Sequence, residues 1–176
     1  MRAAPRFLQL RPRGGRTVAL LAASALLASS AVALGALPKH GASFTGKSSE
    51  SPINGFSAPV LFTVAKNGKS LTGFRYSTLG CFGGGGFRPG VNYYAKPEFF
   101  VKVPGVRIAA GGRFSAIGVK YSRTAFGQTT TTTSKVTGSF TKSKAAKGTI
   151  VFSQDVTGQF NSKCGPGTLQ FTAKAH

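Results

Sequence analysis

Carboxylates are the scarcest chemical resource in this chain. Only Glu50, Glu98 and Asp155 occur in 176 residues. Cleavage of a glycosidic bond by acid and base needs two of them facing one bond. Glu98 and Asp155 lie in or beside expected strands and form the one conceivable pair. Two surface acids beside abundant lysines are the simpler expectation. A nucleophilic triad needs a base near Ser or Cys, but His40 falls in the segment after the N-terminal leader and His176 is the last residue. Neither sits where a rigid site forms. Cys81 and Cys164 without nearby His make half a metal site. Gly83 to Gly86 lack the Lys-Ser/Thr and the helix of a phosphate loop. The inventory therefore points to a non-enzymatic protein with no cofactor and no metal.

Cations and rings are plentiful. Beyond residue 36, eighteen Lys and Arg face the three acids, a net of about +15. So many cations cannot all find a salt-bridge partner. A field of one sign attracts polyanions and weakens with salt. Phe74-Arg75-Tyr76, Phe87-Arg88, Tyr93-Tyr94-Ala95-Lys96 and Lys120-Tyr121 interleave rings with charge. Exposed, such rings stack on bases or sugars while cations hold phosphates or carboxylates. Buried, they are core and their neighbours are ordinary outward residues. Arg75, Arg88, Tyr93, Tyr94, Lys96 and Lys120 are the candidate binding residues. Tyr93 and Tyr94, following a glycine-rich loop, are expected to be the most exposed. Anionic envelope polymers or lipid head groups are the expected partners, with no specific nucleic acid.

The address comes from residues 1–36. Arg2, Arg6, Arg11, Arg13 and Arg16 precede a run from Thr17 to Ala36 that is almost all Ala, Leu, Val and Ser. These are the basic and apolar regions of a secretory signal, and Ala31-Val32-Ala33 offers a cleavage site. An uncleaved membrane anchor is the alternative. Both place the rest of the chain, a linker over 37–42 and a β domain over 43–176, outside the cytoplasm. In an oxidising compartment an even cysteine count implies a disulfide, and only Cys81 with Cys164 is possible.

The elements that must position these residues are strands. Short β-rich runs punctuated by Gly, Pro and Asn indicate an antiparallel β-sandwich or barrel of about 7–10 strands, after an N-terminal signal helix. Val60, Phe62 and Val64 alternate with Leu61, Thr63 and Ala65. The Asn67-Gly68 turn then predicts Val64 opposite Leu71 and Phe62 over Gly73. Glu98 to Val103 reads as the next strand. Gly111-Gly112 predicts a second hairpin, between Val106 to Ala110 and Arg113 to Tyr121. The five-threonine run from Gln128 to Ser134 reads as an edge strand or an exposed loop. Gly138-Ser139-Phe140-Thr141 with Gly148-Thr149, and Gly158-Gln159-Phe160-Asn161 with Gly167-Thr168, read as a repeated strand, loop and strand. Their loops are expected at Lys142 to Lys147 and Ser162 to Pro166.

Phe44-Thr45-Gly46-Lys47, the Phe62-Thr63-Val64 strand with its Asn67-Gly68 turn, Cys81, Gly112-Arg113-Phe114-Ser115, Gly138-Ser139-Phe140, Gly148-Thr149 and Cys164-Gly165-Pro166-Gly167 occur in that order, closed by Phe171-Thr172-Ala173. The order resembles small secreted β-rich proteins of unknown function from high-GC Gram-positive bacteria, across most of residues 43–173. The resemblance implies a β fold and export, and no activity. The expected function is that of an exported cationic domain binding anionic polymer or head groups. The alternatives are an extracellular hydrolase using Glu98 and Asp155, or a passive module tethered by its leader.

Overall fold

The computed structural model describes residues 36–82 and 86–176. The leader reading falls on residues outside these, as does most of the glycine run after Cys81. Nine strands form one antiparallel sheet: β1 (Ser43–Ser48), β2 (Pro59–Val64), β3 (Leu71–Ser77), β4 (Phe100–Lys102), β5 (Arg107–Ile108), β6 (Arg113–Ala125), β7 (Gln128–Lys142), β8 (Ala145–Gly158) and β9 (Ser162–Ala175). Their spatial order is β4-β3-β2-β1-β9-β8-β7-β6-β5. The sheet curls into a half-barrel. At one end its two sides meet, where Leu71 N–H donates to the Val106 carbonyl and Ile108 N–H to that of Lys69, each at 2.9 Å. A barrel-like curl is thus realised rather than a two-sheet sandwich. Among the described residues no helix is long and apolar enough to cross a membrane.

Strand periodicity explains the core. Successive side chains point to opposite faces, so one set from each strand fills the interior. Val60, Phe62 and Val64 are buried, as are Leu71, Phe74 and Tyr76. Phe62 sits among four rings, its centroid 4.9 Å from Phe44, 5.5 Å from Phe74, 6.0 Å from Phe114 and 6.4 Å from Phe140. A smaller cluster of Ala58, Leu79 and Tyr94 lies beneath the connection that holds residues 86–99.

The expected register of Val64 with Leu71 is present. The ring expected over Gly73 is not. A bulge between Leu61 and Thr63 shifts the pairing, Gly73 takes a left-handed φ of 61°, and nothing stands within 4 Å of where its Cβ would be. Rings instead cover Gly138, Gly148 and Gly167, by Phe114, Phe171 and Phe152 respectively. The hairpin around Gly111-Gly112 forms, with Ile108 opposite Phe114. Glu98 and Phe99 belong to a 3-10 turn, leaving β4 shorter than expected.

The threonine run is neither edge nor loop. It lies in β7, paired on both sides with β6 and β8. Its inward residues Gln128, Thr132 and Ser134 are buried, because the interior turns polar toward that end: Tyr76 Oη and Ser134 Oγ lie 3.0 Å apart, and Gln154 Nε2 donates to Thr132 Oγ1 at 3.2 Å. The repeat also shifts phase. Lys142 to Lys147 is mostly strand around a turn at Ser143-Lys144, while Gln159 to Asn161 is the turn and Ser162 to Pro166 opens β9. The linker is docked, with Lys39 N–H on the Ser143 carbonyl at 3.1 Å and Gly41 N–H on that of Val64 at 3.0 Å. Cys81 and Cys164 are disulfide-bonded, with Cα atoms 5.4 Å apart. The bond pins the turn Gly80–Phe82 to β9 and fits an oxidising, extracellular compartment.

Candidate anion-binding face

The same alternation that fills the core turns the strand cations outward. Lys47, Arg75, Lys102, Arg107, Arg113, Lys120, Lys135, Lys142, Lys147, Lys163 and Lys174 are all exposed strand residues. Arg123 on β6 is the strand cation turned toward the interior side, and its Nε is buried without a partner. Among the described residues, the one ion pair joins Lys163 to Asp155 at 3.8 Å. The outer surface is therefore a field of unpaired cations spaced by hydroxyls.

Register orders that field into rows. Lys47, Thr172, Lys147, Ser139 and Arg113 stand side by side on β1, β9, β8, β7 and β6. Gln170, Thr149, Thr137, Ser115 and Arg107 form the next row. Strands lie about 4.8 Å apart, so cations on alternate strands stand about 10 Å from each other. That is near one Debye length at physiological salt, so their potentials reinforce. A depression of about 660 Å³ opens on these rows, lined by Lys47, Ser139, Lys147, Thr149, Gln170 and Thr172 among others. Its polar groups are partly organised: Thr149 Oγ1 donates to Gln170 Oε1 at 2.9 Å, and Gln170 N–H to Ser49 Oγ at 2.9 Å.

The six candidate residues separate into two groups. Arg75 and Lys120 border one cleft of about 680 Å³, together with Lys102, Leu61 and Tyr121. Arg75 also lies over the Phe100 ring, 5.3 Å from its centroid. Arg88, Tyr93, Tyr94 and Lys96 belong instead to the connection before β4. There the expectation of an exposed Tyr94 is overturned: it is fully buried, and its hydroxyl donates to the Ser51 carbonyl at 2.7 Å. The small second core requires its ring, and the hydroxyl finds a backbone acceptor that makes burial tolerable. Tyr93 is half-buried and already engaged. Phe87 meets it edge-on at 4.5 Å, the Lys96 ammonium lies 5.1 Å from its ring centroid, and its hydroxyl accepts from Arg88 N–H at 2.7 Å.

The acids are placed apart in kind. Asp155 points outward on β8 against Lys163. Glu98 borders small clefts with Arg123, Phe99 and Thr130, and Asp155 lines neither of them. Sequence reasoning passed over Glu50, because nothing around it in the chain marks it. It is the acid whose surroundings matter most. Its Oε1 accepts from Leu79 N–H at 3.0 Å, tying the end of β1 to the segment after β3, while Oε2 is buried without a partner. Burial pushes its carboxyl above the ordinary carboxylate value, against hydrogen bonds from Leu79 and Thr78. Burial first, and then the charge of Glu50, also raise the hydroxyl of Tyr94.

A carboxyl with a raised pKa binds its proton more tightly folded than unfolded. Its contribution to stability is therefore full below about pH 4.5 and is lost as pH rises through the folded value. Glu50→Gln keeps an oxygen for Leu79 N–H and removes the charge. We expect it to raise the melting temperature at pH 7 and to flatten the decline between acidic and neutral pH. Thermal melts of both proteins across that range check this, and a lower melting temperature for the variant at pH 7 would contradict it. Compared with family models, with curated proteins and with solved structures, the chain matches none.

Proposed function

We propose that this is an exported, non-enzymatic binding domain that holds anionic polymer or lipid head groups of a cell envelope through the outer face of its sheet. One observation carries the reading: eleven exposed strand cations share that face with a single acid, Asp155, which is itself paired. A soluble surface does not need so one-sided a balance, whereas a polyanion partner does. Hydroxyls between the cations supply donors and acceptors for phosphate, sulfate or uronate oxygens without adding negative charge. The basic leader and the disulfide support an extracytoplasmic setting.

The test is retention on a heparin-like resin in rising salt. The protein is expected to bind at low salt and to be released progressively as salt screens the face. Lys47→Gln/Lys147→Gln/Arg113→Gln removes one row. It is expected to weaken binding about tenfold, since exposed charge contacts each contribute about 0.2–1 kcal/mol. Failure to bind at low salt, or indifference to salt, sinks the reading.

A further inference from the structure

Two hairpin tips stand side by side at the polar end of the sheet, and each offers a phenylalanine to solvent. Phe126, between β6 and β7, is 77% exposed, and Phe160, between β8 and β9, is 55% exposed. They are the two exposed phenylalanines among the described residues. Phe126 also holds a left-handed backbone, with φ of 52°. A bulky residue adopts that region rarely, and Gly or Asn would occupy it with less strain. A strained turn residue with an unburied ring is unfavourable for folding alone, which directs attention to an external partner.

The tips are joined. In the orientation that satisfies both of its groups, the Gln128 carboxamide donates to the Phe160 carbonyl at 3.1 Å and accepts from Gln159 N–H at 2.9 Å. The two tips are therefore tied to each other through their backbones. The tips carry no charge of their own: Thr124 to Thr130 and Val156 to Ser162 contain no ionisable side chain, in a chain of net charge +20, and the nearest charges are Glu98 and Arg123 in the cleft that Phe126 borders. Two hydroxyl pairs span the β6–β7 hairpin there, Thr124 with Thr129 at 2.9 Å and, just behind, Ser122 with Thr131 at 2.8 Å. Pairing lowers the cost of taking them out of water. The exposed cations of the outer face resume behind the tips at Lys163. Lys163, the second residue of β9, follows Phe160 by three positions. An interfacial segment buries its apolar side about 5–10 Å into the boundary between head groups and acyl chains.

We propose that the paired tips insert Phe126 and Phe160 into the interfacial layer of an anionic lipid bilayer, with Lys163 and the other exposed cations of the outer face meeting the head groups. This rests on the anionic-surface reading above and adds a depth and an orientation to it. The occupant is a bilayer rather than a soluble polymer, because a polymer calls for charge and hydrogen bonds where the tips offer phenyl rings.

The chain lacks tryptophan, so one introduced indole reports on its own surroundings. Phe160→Trp in the full chain is mixed with vesicles of phosphatidylcholine and phosphatidylglycerol, with and without brominated acyl chains. The expected result is a blue-shifted emission that the brominated lipid quenches. Ile117→Trp, at an exposed β6 position away from the tips, is expected to show neither. Adding Phe126→Asn to the Phe160→Trp reporter is expected to raise the lipid needed for half the shift about tenfold, the smaller end of the return on burying a phenyl group. Retention on the heparin-like resin should not change. If vesicles bind while the indole at 160 stays in water, insertion is wrong and the charged-face reading stands. The same holds if heparin binds and vesicles do not; if the tip variants abolish heparin retention, the tips and not the outer face hold the polymer, and both readings fall. If neither heparin nor vesicles bind, both readings fall.

Discussion

Replacing Cys81 and Cys164 together by serine is expected to lower the free energy of unfolding by about 4–5 kcal/mol. The bond closes a separation of 83 residues, and a loop of that length restricts the unfolded chain by about that amount in the chain-entropy account. Native contacts near the bond survive its removal in large part. Cys81 N–H donates to Gln154 Oε1 at 3.0 Å, a contact made by backbone and not by sulfur. The ladder between β8 and β9 also continues on both sides of Cys164. The cost should therefore appear mainly through the unfolded state. A domain of this size is stable by about 5–15 kcal/mol, so the loss removes a large part of the total. Urea unfolding of the oxidised protein and the double variant measures it. A difference below about 1 kcal/mol would mean that the unfolded chain is already held compact without the bond.

Phe62→Ala is expected to cost about 3–5 kcal/mol, the range for truncating a buried phenylalanine. Phe62 is 3% exposed and sits where rings from β1, β3, β6 and β7 converge. Collapse around the missing ring is difficult. Phe44 and Phe74 stack on it from opposite neighbouring strands, with interplanar angles of 11° and 10°, and each is fixed by its own strand ladder. The cavity would therefore stay largely open, which places the effect toward the upper end. The same urea experiment reads it. A loss under about 1.5 kcal/mol would show that the rings repack and that the aromatic cluster is adaptable. Both substitutions lie off the outer face, so the folded fraction should retain its salt-dependent binding to heparin.

Local signals in the chain were reliable where the physics is local. The Asn67-Gly68 turn and the Val60, Phe62, Val64 alternation set the β2–β3 register through Val64 and Leu71, because turn geometry and side-chain period act over a few residues. The cysteine pairing followed from arithmetic alone. The excess of cations was equally plain from composition, although its arrangement was not. Rows such as Lys47, Thr172, Lys147, Ser139 and Arg113 bring together residues from five strands, and only the register of four ladders lines them up.

Readings that failed depended on distant partners. Tyr94 looked like a surface ring because a glycine-rich stretch precedes it. It is buried because Ala58 and Leu79, remote in sequence, need a ring above them. The threonine run looked peripheral because it is polar, yet β7 is a central strand whose inner side meets a polar interior. Bulges at Gly73 and between Ala116 and Val119 shift which residues face inward, and a period-two pattern cannot announce where it will slip. Glu50 is unremarkable in sequence and acquires its shifted carboxyl only when the segment after β3 folds over it.

The residue inventory alone determined the protein's charge and its cross-link. Three acids, two cysteines and a large excess of cations set a strong positive charge and the one possible disulfide before any contact is known. Tertiary structure decided what that inventory presents. Closing the curl sent the rings inward and the strand cations outward, since each strand has only two faces and the core claims one. The β7–β8 ladder also set two hairpin tips together, which brought Phe126 and Phe160 to one end of the sheet although 34 positions separate them in the chain.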